Sequence, residues 1–546
     1  LHNDRLEFVE GSKFLAQDRL QTLLPFKDNP TKMLVGTFGS GLYTYNGRSF
    51  KPFPTDVDDY LKKNVLYKGV VLPDGNFGFC TLSGGFVIIS PQGQHIQTLS
   101  TENILPSNTI SEAFVDRQNQ LWLAADNAII QIEIASPIKQ VRNKNNTLRG
   151  MLDAVRHNGT LYFATYDGAN YLDNSSGEFK QVDGFPQGNL QSFALLPFDD
   201  QLLLASQAGV FHIEGKRAEV IVQNPGGLKY AVTFLHRSKK NPNRVYVGLI
   251  NGLASILWDN KTGKWINEDR FNGITDFVVF IREDKQGRYW INTGNSLLRV
   301  QIDDERTLIT ETFGEEHNLP TNSVPFIYNW GEEVVFVSKQ GVKTFDETTE
   351  KFTEHPILGE MPVGIRQLTP KSLVEDAAGN LWLDFGLSKA ILKQENGERV
   401  LDLRPLRRIR DIGPSLVYPD ENNVTWFATA DRLFHYDGRV SIDYEQSYTA
   451  LIRSVSLAED SVIFGGSQTR DLETVRSISF SNNALRFDYA AASFIESQTN
   501  TFSTYLEGLD KDWSGWSKEG YRAYTNLQPG SYAFHVRAKN SYDHPS

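Results

Sequence analysis

Two short strands joined by a tight turn make up LYFATYDGANYLD (Leu161–Asp173): alternating aliphatic and aromatic residues ending in small ones, an Asp-Gly reversal, then a second apolar strand. The same figure recurs along the chain. Its copies include MLVGTFGSGLYTYNGRSF (Met33–Phe50), LWLAADNAIIQIE (Leu121–Glu133), LLLASQAGVFHIE (Leu202–Glu214), YWINTGNSLLRVQI (Tyr289–Ile302) and TWFATADRLFHY (Thr425–Tyr436). Taking the fourth residue of the first strand in each of ten copies gives Gly36, Cys80, Ala124, Ala164, Ala205, Gly248, Asn292, Val337, Asp384 and Ala428, with gaps of 40 to 47. A period of this size built from strands and reverse turns, without long apolar stripes at helical spacing, defines a β-propeller blade rather than a helical solenoid. Weaker strands, such as Glu112–Val115 before one copy and Phe179–Val182 after another, complete a four-stranded antiparallel unit.

Ten blades exceed the four to eight of an ordinary closed ring. The sequence therefore predicts an all-β chain with one complete seven-bladed ring and part of another. Residues 1–137 are expected to form the last blades of an N-terminal propeller and residues 138–450 the seven-bladed ring. A three-blade remnant is expected to expose sheet faces, since each blade covers its neighbour. The period stops after Tyr436, and a different module, an immunoglobulin-like sandwich, is expected over residues 456–546. Leu1 follows no initiator Met or signal peptide and Ser546 stands in a strand-like passage, so the chain reads as a piece of a longer protein.

Composition narrows the function. With 546 residues, 40% of them hydrophobic and 22% charged, the chain reads as ordered and multidomain. A net charge of −11 lacks the footprint that holds phosphate backbones or anionic membranes, so no nucleic-acid partner is expected. Cys80 is alone and forms no internal disulfide, and neither Cys/His zinc spacing nor a calcium loop is present, so no metal or cofactor is expected. No nucleophile elbow, His-Glu-x-x-His helix or phosphate-cradling glycine loop occurs, and no catalytic residue is assigned.

Two passages carry resemblances. The cadence Asp116 to Leu121-Trp122, Asp284 and Gly287 to Tyr289-Trp290, and Asp376 and Gly379 to Leu381-Trp382 resembles the two-component regulator propeller repeat. TYLEGLDKDWSGWS (Thr504–Ser517) and YTNLQPGSYAFHVRAKN (Tyr524–Asn540) resemble the triple-tyrosine (Y_Y_Y) domain. Propellers followed by that domain are similar to the periplasmic sensor region of bacterial two-component regulators, typically hybrid histidine kinases. The resemblance implies an inner-membrane receptor whose membrane helix and any kinase lie downstream, a homodimer when intact, and an oligosaccharide or other small-molecule ligand. A polysaccharide-active propeller enzyme and a protein-interaction scaffold are the alternatives.

A ligand in the complete ring is expected at the turns between second and third strands, which face one entrance to the central channel. These turns contribute Tyr166, Asp167, Gln207, Asn251, Asn295, Lys339, Gln340, Asp431 and Arg432. Amides, one aromatic ring and mixed charges suit hydroxyl recognition by converging hydrogen bonds. Trp122, Trp290, Trp382 and Trp426 recur at one repeat position and are read as blade packing, and Trp513 and Trp516 as supports of the sandwich.

Overall fold

The computed structural model describes residues 9–134, 136–141, 148–186, 190–223, 231–319, 324–339, 341–356, 370–386, 388–395, 398–409, 416–429, 432–457, 461–466, 477–480 and 483–546. The chain divides into two compact units: Leu1–Ser136 with Ile442–Ser546, and Pro137–Ser441.

Among the described residues, the Pro137–Ser441 unit contains seven four-stranded antiparallel sheets, six of them ordered as the chain runs. Asp153–His157, Thr160–Thr165, Gly168–Asp173 and Glu178–Gln181 make one such sheet. The seventh joins chain ends: Ile138–Val141 pairs with Leu433–Asp437, which continues to Val424–Ala428 and Leu416–Asp420. The first strands of consecutive sheets touch in turn, from Asp153–His157 round to Leu416–Asp420, and the last touches the first. These seven strands therefore surround a channel.

The sheets pack face to face because their second and third strands are apolar on both sides. Ala205, Val210, Val247, Ala254 and Ile256 form one such seam and Tyr162, Ala169, Leu204 and Phe211 the next. Small residues end the second strands because space is short there. A methyl group on Gly248 would lie 2.9 Å from Val278 Cγ1.

The recurring Asp-to-Trp cadence has a physical cause. Asp116, Asp284 and Asp376 each use Oδ1 to accept backbone N–H groups two and four residues on, closing the turn. Oδ2 of each accepts the indole N–H six residues on, from Trp122 at 2.7 Å, Trp290 at 3.3 Å and Trp382 at 2.9 Å. One carboxylate thus sets the turn and fixes the ring that packs the sheet.

In the other unit three sheets follow one another: Leu20–Phe26 to Phe50–Pro52, Leu66–Val71 to His95–Leu99, and the three strands Ile110–Val115, Leu121–Ala125 and Ile129–Ile132. A short helix, Asp58–Asn64, buries Leu61 against the first two. Leu20 and Leu23 in the first sheet are 52% exposed, and Phe114 and Ile129 in the third are 62% and 80% exposed. Cys80 is buried, and that burial pushes its thiol up to about 12.

The sandwich in this unit opposes two sheets. Ala450–Leu457 lies between Ser461–Gly465 and Leu485–Ala491, which continues to Tyr521–Tyr524, and Thr501–Glu507 pairs with Ala533–Lys539 in the facing sheet. The first strand opens at Ala450, ahead of the Ser456 boundary read from the sequence, because Ala450, Leu451 and Ile452 pair with Ala491, Ala490 and Tyr489. Phe487, Tyr489, Phe502, Leu506, Tyr524 and Ala538 form its core, with Phe487 stacked on Phe534 at 4.0 Å.

Candidate functional site: one mouth of the ring channel

Every sheet of the ring runs its strands in the same sense, so the turns between second and third strands share one end of the channel. Tyr166 is 46% exposed there, its N–H donating to the Arg149 carbonyl and its ring lying against Gly150. Gly150, at φ 57°, has no room for a side chain, because a Cβ would sit 2.3 Å from the Tyr166 ring. Asp167 is half-buried and its carbonyl accepts a hydrogen bond from Gln181. Gln207 is exposed and its N–H donates to the Gln191 carbonyl. Asn251 is half-buried; its carbonyl accepts from Arg270, and its buried Oδ1 has no hydrogen-bond partner among the described residues. Asn295, Lys339 and Arg432 are exposed, and the Arg432 N–H donates to Thr429 Oγ1. Gln340 and Asp431 lie outside the described residues. The bonds of Tyr166, Asp167, Gln207 and Asn251 named above are all local to their own sheets. The fold therefore places these residues on one rim without knitting them into one constellation.

The wall of the channel holds groups that the sequence reading missed. Asp153 begins the first strand of its sheet, and its two oxygens accept the N–H groups of Ala154 at 2.9 Å and Leu195 at 2.8 Å. Burial raises its pKa to about 6, opposed by those two bonds and by the charge of Arg282. Arg282, on the Phe280–Glu283 strand, donates Nη1 to the Ile281 carbonyl at 2.9 Å, and its guanidinium lies 5.2 Å from the Phe234 ring and 5.8 Å from that of Phe280. Burial lowers its pKa, and the neighbouring Tyr328 and Asp153 act in the opposite sense.

Tyr328, on the next sheet, donates its hydroxyl to the Lys371 carbonyl at 2.8 Å and is pushed up to about 12 by burial. Tyr418, on the closing sheet, accepts the Arg156 N–H at 2.7 Å through its hydroxyl oxygen. Towards the mouth, Phe280 and Phe326 stand 5.9 Å apart, with Phe326 42% exposed, and Phe277 in the preceding connection is 43% exposed. The site thus combines aromatic faces at the rim with an acceptor, a fixed cation and phenol groups inside. Such a set can bind and orient a polar molecule.

Among the described residues no group of three His, Cys, Asp or Glu side chains is placed to hold a metal ion. Among them, too, no helix is long and apolar enough to cross a membrane.

Comparison with known proteins agrees with this architecture. Residues 493–546 match the Y_Y_Y domain. No curated protein matches the sequence. Among solved structures, the extracellular domain of BT3049 from B. thetaiotaomicron, assigned as a hybrid two-component system, is similar over 96% of this chain and 71% of its own, with 16% identity and a TM-score of 0.69. The extracellular domain of BT4673 from the same organism, assigned likewise, aligns over 100% of this chain and 74% of its own, at 15% identity and a TM-score of 0.46. The first of these shares the fold of stacked four-stranded sheets followed by a sandwich.

Proposed function

We propose that this chain is the non-catalytic, ligand-sensing region of a two-component signalling receptor, that it works in the periplasm, and that it takes an oligosaccharide at the mouth of the seven-sheet ring. The observation that carries the reading is the sandwich matched by the Y_Y_Y domain, standing after ten strand-built repeats in the same chain. The similar fold of an extracellular receptor domain supports it. The three sheets of the Leu1–Ser136 segment belong, in this reading, to a larger ring, since Leu20, Leu23, Phe114 and Ile129 leave apolar surface for further sheets to cover.

Binding alters the receptor only if the ligand favours one of two arrangements, and the output is a changed geometry of the sandwich in a homodimer. A thermal-shift screen of this chain against defined oligosaccharides, with product analysis of each mixture, tests the proposal. Saturable stabilisation without turnover is the expected result. Turnover would make the chain an enzyme, and no shift with any saccharide would remove the glycan from the reading. Asn251→Ala combined with Asn295→Ala addresses the rim, and unchanged affinity in calorimetry would exclude those two amides.

A further inference from the structure

Arg282 differs from the carboxylate-paired arginines of the ring, and from the half-buried Arg270 and Arg306, whose guanidinium groups reach across to the carbonyls of Asn251 and of Glu268 and Asp269. Arg156, Arg244, Arg288 and Arg299 each clasp a carboxylate, on Asp420, Glu268, Asp284 and Glu311 respectively. Arg282 enters no ion pair among the described residues. Its one hydrogen bond there goes from Nη1 to the adjoining Ile281 carbonyl. The rings of Phe234 and Phe280 flank the guanidinium, and among the described residues its Nε and Nη2 donate to no protein group. A cation desolvated in this way, with its planar fork unused, is matched by a carboxylate that brings two parallel acceptor oxygens.

The groups near Arg282 narrow the ligand further. Both oxygens of Asp153 already receive backbone N–H bonds, which fixes the carboxyl in place while leaving lone pairs for a ligand hydroxyl. Tyr418 accepts the Arg156 N–H, so its own O–H hydrogen is free to be donated. A carboxylate for Arg282, hydroxyls for Asp153 and Tyr418, and a ring face for Phe280 and Phe326 describe one class of molecule.

We infer that the channel mouth binds a saccharide whose terminal unit carries a carboxylate, a uronate, with that carboxylate paired to Arg282. The inference rests on the sensor reading and adds the charge of the ligand to it. The Asp153 carboxyl opposes a second negative group, so one acid per bound unit is accommodated.

Calorimetric titration of this chain with trigalacturonate and trimannuronate, each beside its neutral methyl ester, tests it. One or both acids should bind, the matching ester at least 30-fold more weakly, and the affinity of the acid should fall as salt rises. Arg282→Gln should lose at least 30-fold in acid affinity. Arg282→Lys, which keeps the charge and loses the fork, should fall between the two. Denaturation midpoints of both variants report whether they fold, and the ester and salt comparisons on the unaltered protein decide the matter if they do not.

Equal binding of acid and ester, retention of affinity by folded Arg282→Gln, or binding only of neutral saccharides would overturn the inference while leaving the oligosaccharide reading in place. Binding of no saccharide at all would overturn both.

Discussion

The guanidinium of Arg156 grips the Asp420 carboxylate with Nε at 2.7 Å and Nη2 at 2.6 Å, and so ties the first strand of one sheet to the first strand of the closing sheet. Asp420 also accepts the indole N–H of Trp426 at 2.9 Å, and its side chain is 2% exposed against 19% for Arg156. Removing the arginine leaves a buried carboxylate with its main counter-charge gone. Arg156→Ala is expected to destabilise the ring by about 3 kcal/mol, measured by urea denaturation. A change within error would mean that the seam is held by strand pairing alone.

The turn aspartates should cost more than the indole bonds they receive. Asp376→Ala removes acceptors from Ala378, Asn380 and Trp382 together, whereas Trp382→Phe removes one donor and part of a ring. We expect about 3 kcal/mol for the first and about 1–2 kcal/mol for the second in equilibrium unfolding. The reverse order would show that indole packing, not the turn, is the larger contribution.

Two carboxyls should give stability opposite pH dependences. Asp153 is raised to about 6 in the folded chain by burial, against an ordinary value of 3.8, so the native state holds more protons than the unfolded state between those values. Its contribution to stability therefore declines as pH rises from about 4 to 6 and is level above that. Arg282 and Tyr418 are the charged and titratable groups beside it. For Asp18, burial would raise the pKa, but hydrogen bonds from Ser40 and Gly39 outweigh it and hold the group at about 2. The stability it adds is present above pH 4 and is lost as pH falls through 2. Carboxyl NMR titration of the two residues, beside denaturation curves from pH 2 to 7, checks both signs, and a midpoint for Asp153 below 4 would refute the first.

On the sandwich, cations and rings alternate. Arg537 lies 4.3 Å from the Trp513 ring and 5.1 Å from Trp516, Lys539 lies 4.5 Å from Trp516, and Tyr505 stands 5.8 Å from both Trp513 and His535. Both tryptophans are 38% exposed, so their order depends on this stacking more than on burial. Arg537→Ala is expected to lower sandwich stability by about 1–2 kcal/mol and to make Trp fluorescence more solvent-like, with Arg537→Lys between. Unchanged fluorescence would show that the Ser514 and Ser517 backbone bonds to the Phe502–Thr504 strand are sufficient.

The repeat was legible because second and third strands are buried on both faces. Ala164, Ala205 and Val210 are fully buried, and burial on both sides writes itself as continuous apolar sequence. Fourth strands such as Glu178–Gln181, mostly exposed, leave only a weak trace. The closing strand, Ile138–Val141, is four residues long and pairs with residues about 300 positions away, so no local pattern announces it.

Functional residues were harder to read for a related reason. Arg282 interrupts an apolar run on a first strand, and its neighbours Phe234, Tyr328 and Asp153 come from three other sheets. Its lack of an ion-pair partner among the described residues is a property of the ring and not of the segment. The exposed turns were legible as turns, since Asp167-Gly168 and Asn251-Gly252 reverse the chain with Gly168 at φ 102° and Gly252 at φ 144°. Their reach toward a ligand was not. Trp513 and Trp516 were read as supports of the sandwich, and the cations Arg537 and Lys539 that lie over their rings belong to a neighbouring strand, which no local pattern announces.

Because Pro137 and Asp437 are bonded to each other, carbonyl to N–H at 2.7 Å, the ring begins and ends at one place. The segments on either side, Leu1–Ser136 and Ile442–Ser546, must find one another to make a single compact unit, although some 300 residues intervene. Once the ring has closed, that long tether becomes one of a handful of residues, which lowers the entropic cost of their meeting by about 3 kcal/mol. Closure of the inserted module thus acts as a clip, and its failure to close would leave the outer segments to meet across an open chain at the full entropic cost.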